Sequence, residues 1–208
     1  MITIALAKGR LADSTADILE RCGVDCSILR EKSRKLVFQT AQGYRFILVK
    51  PSDVPSYVFH GVADMGVAGK DTIMETAFPL FEMLDLEFGK CKMCVCGLPK
   101  GFERSMTVSN MRVATKYPHI AENYYAAKGE AIEIIKLNGS VEIAPILGLS
   151  DVIMDIVESG QTLRENGLTV LEEVCSISAR VIVNRVSLKT RGTEIKQLIN
   201  KMKGAVEK

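Results

Sequence analysis

The chain has 208 residues, 47% of them hydrophobic and 25% charged, an ordinary globular composition that can fill one large domain or two small ones. Its formal net charge of +2 excludes a strongly basic nucleic-acid-binding face, although it allows a local basic site. The apolar run Ile2–Ala7 is too short for a signal peptide and has no basic region before it, and no stretch nears the ~20 apolar residues of a membrane helix, so a cytoplasmic protein is expected.

Ile2–Ala7 reads as a buried strand, with Lys8-Gly9-Arg10 as the loop after it. Leu11, Ala12, Thr15, Ile18, Leu19 and Cys22 then recur at helical spacing up to a stop at Gly23. Leu36–Thr40 and Tyr44–Lys50 read as a hairpin turned at Ala41-Gln42-Gly43. Asp53 is placed to cap a short helix that tolerates Pro55 in its first turn. Asp64–Ala68 reads as the end of a buried strand, and Gly69-Lys70-Asp71 leads into a helix.

The pattern restarts near Gly89-Lys90, which points to a second lobe. Strands are predicted at Lys92–Leu98, Arg112–Thr115 and Ile132–Leu137, with a helix from about His119 to Lys128 stopped by Gly129. Val152–Glu158 reads as a helix capped by Ser150 or Asp151 and stopped by Gly160. Thr169–Asn184 reads as extended, and Ile195, Leu198, Ile199, Met202 and Val206 form one stripe of a last helix. Strands alternating with helices predict an α/β fold with mainly parallel sheets.

Six cysteines fit a reducing compartment as thiols. In a strand over Lys90–Gly97, Cys94 and Cys96 share a face and Cys91 takes the other, and no His or Cys follows at zinc-finger spacing; buried structural thiols are expected rather than a metal cluster.

Three segments carry groups that suit anionic ligands. In Asp155-Ile156-Val157-Glu158-Ser159-Gly160-Gln161-Thr162-Leu163, two acids precede small residues and a turn that Thr162 can cap. The acids suit sugar hydroxyls, directly or through Mg2+, and the exposed amides suit a phosphate; two unrelated helix caps explain the same residues. Lys8, Gly9 and Arg10 follow the first strand, where open α/β sheets bind ligands, and Arg30, Lys32, Arg34 and Lys35 form a second basic group that also reads as a solvated turn. Gly66-Val67-Ala68-Gly69 can bring backbone close to a ring or a phosphate, without the full dinucleotide fingerprint. His60 and His119 have no Ser or Cys partner nearby in sequence and read as surface or helix-end residues.

The order of these motifs resembles the short form of ATP phosphoribosyltransferase. The markers are Ala7-Lys8-Gly9-Arg10-Leu11, Ser33-Arg34-Lys35-Leu36, Ser52-Asp53-Val54-Pro55, Gly61-Val62-Ala63-Asp64-Met65-Gly66-Val67-Ala68-Gly69-Lys70-Asp71 and Val113-Ala114-Thr115-Lys116-Tyr117-Pro118. Leu137-Asn138-Gly139-Ser140-Val141-Glu142-Ile143-Ala144-Pro145, continuing through Gly148-Leu149-Ser150-Asp151 to Asp155, is the strongest.

The resemblance implies a two-lobed, periplasmic-binding-protein-like (type II) fold with a cleft between lobes. The first lobe is expected at 1–90 plus 175–208 and the second at 91–174. It implies the joining of ATP, through adenine N1, to 5-phosphoribosyl 1-diphosphate (PRPP) in the first step of histidine biosynthesis, with Mg2+ as cofactor. It also implies catalytic roles for Arg10, Arg34 and Lys8, and PRPP binding by Asp155, Glu158, Ser159, Gly160, Gln161, Thr162 and Leu163. ATP is expected at Gly9, Gly66, Val67, Ala68, Gly69 and Glu142; the metal ligands are left open. The partner implied is a regulatory subunit related to histidyl-tRNA synthetase, around a homodimer within a hetero-oligomer. A binding protein of the same fold, a different phosphoribosyltransferase and a nucleotide-binding regulatory subunit are the rival readings.

Overall fold

The computed structural model describes residues 1–30, 34–99 and 110–207. Lys32 of the second basic group and Ser33 of the Ser33-Arg34-Lys35-Leu36 motif lie outside the described residues. The chain divides into two compact units, one of Met1–Gly89 with Ser178–Lys208 and one of Lys90–Ile177, so the second crossing falls after Ile177 rather than after Val174.

The first unit is built on a six-stranded sheet of β1 (Ile2–Ala7), β2 (Val37–Gln39), β3 (Tyr44–Val49), β4 (Met65–Gly69), β5 (Phe81–Asp85) and β11 (Ala179–Val183), in the order β2-β3-β1-β4-β11-β5. Alternation along β1 fills both faces. Ile2, Ile4 and Leu6 pack with Ala12, Ala16, Ile18 and Leu19 of α1 (Arg10–Arg21) and with Ile195, Leu198, Ile199 and Met202 of α9 (Gly192–Val206). Ala5 and Ala7 face the other way, against Val54 and Val58 of α3 (Val54–Phe59). Small residues on that face let α3 lie close. A Cβ on Gly66 would meet Val54 Cγ1 and Val58 Cγ2 at 2.9 Å and Ala5 O at 3.0 Å. Pro55 sits in the first turn of α3, where its missing N–H costs nothing. The remaining helices here are α2 (Ser27–Arg30), α4 (Lys70–Thr76) and α8 (Arg185–Thr190), the last capped by Asn184, which accepts from Val186 N and Ser187 N.

The second unit holds a five-stranded sheet of β6 (Cys91–Gly97), β7 (Met111–Thr115), β8 (Ile132–Lys136), β9 (Val152–Val157) and β10 (Thr169–Ile177), ordered β10-β6-β9-β7-β8. Its helices are α5 (Pro118–Ala127), α6 (Ile143–Ile146) and α7 (Gln161–Glu165). Cys94, Cys96, Ala114 and Ile153 project from one face of the sheet into a core shared with Val141, Ala144, Leu163 and Leu168.

Parallel pairing is confined to β3-β1-β4 and to β9-β7-β8; both sheets add antiparallel strands, so they are mixed rather than mainly parallel. The segment expected as a helix at Val152–Glu158 is the strand β9, central in its sheet and buried from Val152 to Met154. An apolar run of this length fits a buried strand as well as a helix, and pairing with β6 and β7 decides it. Gly160 therefore opens a helix instead of closing one. Among the described residues, no helix is long and apolar enough to cross a membrane.

Candidate active site

In the first unit, β1, β3 and β4 run parallel, so Lys8-Gly9-Arg10, Lys50 and Gly69-Lys70-Asp71 leave the sheet at one end. Antiparallel β2 enters from that end, because Val37 pairs with Ile47 and Leu48 N donates to Leu36 O at 2.8 Å. Arg34 and Lys35, which precede β2, are thereby brought to the end that carries Lys8 and Arg10. All four are exposed. The basic group around Arg34 is divided in the fold: Arg30 turns to α1, pairing with Asp17 at 2.6 Å and Glu20 at 2.8 Å.

Gly9 caps α1 with φ 93° and ψ −154°, a conformation that a side chain resists although nothing lies within 4 Å of the Cβ position. Its carbonyl accepts from Ala12 N at 2.8 Å and starts the helix, so the positive end of a twelve-residue dipole lies beside Lys8 and Arg10.

Gly66, Val67 and Ala68 are buried within β4, and the missing side chain of Gly66 is taken up by α3. That leaves Gly69, at the strand end, as the partly exposed member of this glycine-rich run. There the Asp71 carboxylate folds over the backbone, and a Cβ on Gly69 would meet Asp71 Oδ1 at 2.2 Å. Asp71 was not singled out from sequence; an acid two residues after a strand-end glycine is the signal that could have found it.

In the second unit, β7, β8 and β9 are parallel and end at Lys116-Tyr117, Leu137–Glu142 and Glu158–Thr162. Alternation puts Asp155 on the face of Ile153 and Val157, the face covered by Val141, Ala144 and Leu163. Asp155 and Glu158 therefore do not share a helical face. Asp155 is half-buried, its Oδ1 accepting from Ile156 N at 2.8 Å, whereas Glu158 is exposed beyond the strand.

Gly160, at φ 69°, turns the chain into α7, and Arg164 N to Gly160 O at 3.1 Å is the first bond of that turn. The amides of Gly160, Gln161, Thr162 and Leu163 consequently have no partner within the helix. Ser159 Oγ accepts from Gln161 N at 3.3 Å, and buried Leu163 anchors the turn on the core. Thr162 sits inside α7 rather than at its cap.

Glu142 precedes α6 in this unit and is half-buried. Both Glu142 and Asp155 act on Cys96, whose thiol is pushed up to about 12 first by burial and then by Cys94, Asp155 and Glu142. Two further contacts shape this end. The buried Thr115 hydroxyl donates to Met154 O at 2.6 Å and accepts from Tyr117 N at 2.8 Å, while Ser140 adopts φ 50° in the loop before Glu142.

A model of the ATP phosphoribosyltransferase (HisG) family matches residues 50–204. The chain belongs to this family. It is 55% identical over 209 residues to an ATP phosphoribosyltransferase of Lachnospira eligens, covering 99% of this chain and 97% of that one. A Bacillus cereus ATP phosphoribosyltransferase is 56% identical over 202 residues, 97% and 95% of the two chains. Among solved structures, the ATP phosphoribosyl transferase (HisG:HisZ) complex from Thermotoga maritima superposes with a TM-score of 0.85 at 35% identity over 100% and 99% of the chains. The periplasmic aliphatic sulphonate binding protein SsuA from Escherichia coli shares the fold, with a TM-score of 0.59 at 13% identity over 99% of this chain and 72% of that one. The two-lobed periplasmic-binding-protein-like fold expected from the motifs is thus the fold of the chain.

Proposed function

We propose that the chain catalyses the first step of histidine biosynthesis in the cytoplasm. ATP and PRPP give N1-(5-phosphoribosyl)-ATP and diphosphate. The lone pair of adenine N1 forms the bond to ribose C1 as the bond from C1 to the diphosphate oxygen breaks, and the electron pair leaves with diphosphate.

One observation beyond family membership carries the assignment of the sugar phosphate. Directly after β9, Gly160 in its left-handed conformation opens α7 and presents successive amides, with Asp155 on the face that α7 covers. Amides held this way suit the 5-phosphate, and the Ser159, Gln161 and Thr162 side chains add polar groups to the same turn. Asp155 and Glu158 take the ribose hydroxyls, and Glu142 lines the same end for the adenine nucleotide. In the first unit, Lys8, Arg10 and Arg34 take the phosphates, and Gly9 and Gly69 let the nucleotide approach backbone.

The work of these cations follows from the reaction. Both substrates are polyanions, and the departing diphosphate gathers charge as C1 becomes oxocarbenium-like. Guanidinium forks stabilise such charge without losing their own protons. Positioning supplies much of the remainder, and no covalent nucleophile is required.

Magnesium asks for oxygen ligands and keeps several waters, so one or two carboxylates plus substrate phosphates suffice. Asp155, half-buried within β9, is a carboxylate of that kind and would hold the ion together with substrate phosphates. When bound, it supplies neutralising charge to the diphosphate. The Thermotoga maritima relative, solved as a HisG:HisZ complex, supports assembly of this chain with a regulatory subunit; a homodimer within that hetero-oligomer, and a subunit related to histidyl-tRNA synthetase, complete the reading.

The test is to mix the purified chain with ATP, PRPP and Mg2+, with and without that subunit. An adenine-N1 adduct, seen by its ultraviolet absorbance, is expected. No adduct even with the subunit present overturns the assignment.

A further inference from the structure

The turn that carries Gly69 is held by a group of charges. Lys70 N donates to Ser178 O at 3.0 Å, and Lys70 Nζ pairs with Glu82 at 2.5 Å. Arg180, on the strand beside β4, faces Ala68 in register. Its guanidinium bridges Glu82 at 3.3 Å and Asp85 at 2.8 Å, and Asp85 also accepts from the Ser178 hydroxyl at 2.9 Å and from Glu87 N at 2.8 Å. The Arg180 side chain is only 23% exposed, and its Nε is enclosed without a hydrogen-bond partner.

A guanidinium in that state is a poor device for stability alone. Enclosing a charge costs solvation, and an unpaired N–H adds to the cost. Its geometry does achieve something specific. Through Glu82 and Lys70 it fixes the first residue of α4, and through Asp85 and Ser178 it fixes the strand end paired with Gly69.

We propose that Arg180 is a positioning residue for the adenine nucleotide, acting through Glu82 and Asp85 to hold the Gly69-Lys70-Asp71 turn. This rests on the proposed role of Gly69. Arg180 does not touch substrate. It sets where the backbone at Gly69 stands, and small displacements of a binding surface cost much in the reaction.

The experiment compares wild type, Arg180→Lys, Glu82→Gln and Gly69→Ala in the complex with the regulatory subunit. It reads kcat, KM for each substrate, ATP affinity by calorimetry and the thermal midpoint. Arg180→Lys keeps the charge and loses the fork. Its KM for ATP should rise on the order of tenfold, with kcat and the KM for PRPP changing much less. Glu82→Gln should move the same constant in the same direction.

An Arg180→Lys enzyme with unaltered ATP affinity overturns the proposal, as does one in which both KM values rise together with a fallen thermal midpoint. Gly69→Ala separates the two levels, because its Cβ displaces the Asp71 carboxylate. If Gly69→Ala weakens ATP and Arg180→Lys does not, the turn is a nucleotide site and Arg180 only a staple. If neither weakens ATP, the nucleotide reading of the turn fails and the proposal falls with it.

Discussion

Arg34 illustrates what a single side chain owes to pairing elsewhere. Lys8, Gly9 and Arg10 could be placed from sequence because they follow β1 directly, and local order suffices. Arg34 reaches the same end of the sheet only because β2 runs antiparallel to β3, which in turn lies parallel to β1. A run of basic residues says nothing of that, and the fold separates Arg34 from Arg30, which is held by Asp17 and Glu20. Removing an arginine that meets developing charge costs about 2–4 kcal/mol of barrier. Arg34→Ala is therefore expected to lower kcat accordingly with an unchanged thermal midpoint, in steady-state assays of the complex. An unaltered rate would return Arg34 to the solvated charges. Arg180 had a fainter signal, a lone cation in the otherwise apolar strand Ala179–Val183, and its partners Glu82 and Asp85 lie far away in sequence.

Among the elements, those with a clear period were legible. The stripe of α9 is buried at Ile195, Leu198, Ile199 and Met202 and partly at Val206, and the apolar run of β1 is buried throughout. The run Val152–Val157 was misread because its apolar residues satisfy either period, and because acids and a glycine after it imitate a helix end. β5 went unread: Phe81 and Glu82 are exposed, and its strand character comes from pairing with β11 almost a hundred residues later.

The start of β9 is fastened to β7 by Asp151, which accepts from Arg112 N at 2.8 Å and pairs with its guanidinium at 2.9 Å. That hydrogen bonding from Arg112 holds the Asp151 carboxyl below its ordinary value. The contribution is present above the unfolded-state pKa and is lost as pH falls through the folded one. The pair is about half exposed, so at neutral pH it is worth at most about 1 kcal/mol. Asp151→Asn is expected to be less stable than wild type at pH 7, the gap starting to close only below about pH 4 and gone once the carboxyl is protonated in the folded and unfolded states alike, as measured by urea unfolding at pH 7 and at about pH 2. An equal gap at the two pH values would remove the ion pair as its cause.

At the scale of the whole molecule, the first unit is discontinuous and the second is not. β11 inserts between β4 and β5, so β4 has only β1 beside it and β5 is not joined to the sheet until residues 179–183 exist. On the ribosome, the second unit has left the exit tunnel as a complete segment while the first still waits for an interior strand. Domains generally fold as they emerge. Here that order inverts position in the chain: the half begun first is finished last. A chain truncated after Ile177 and released from the ribosome should accordingly protect the second sheet from pulse proteolysis and leave the first open to cleavage, and equal protection of both would contradict this. Since β11 also brings Arg180 and the carbonyl of Ser178 sits just before it, the turn at Gly69 takes its final form only then. Synthesis itself thus delays the half built on the six-stranded sheet until its interior strand has been made.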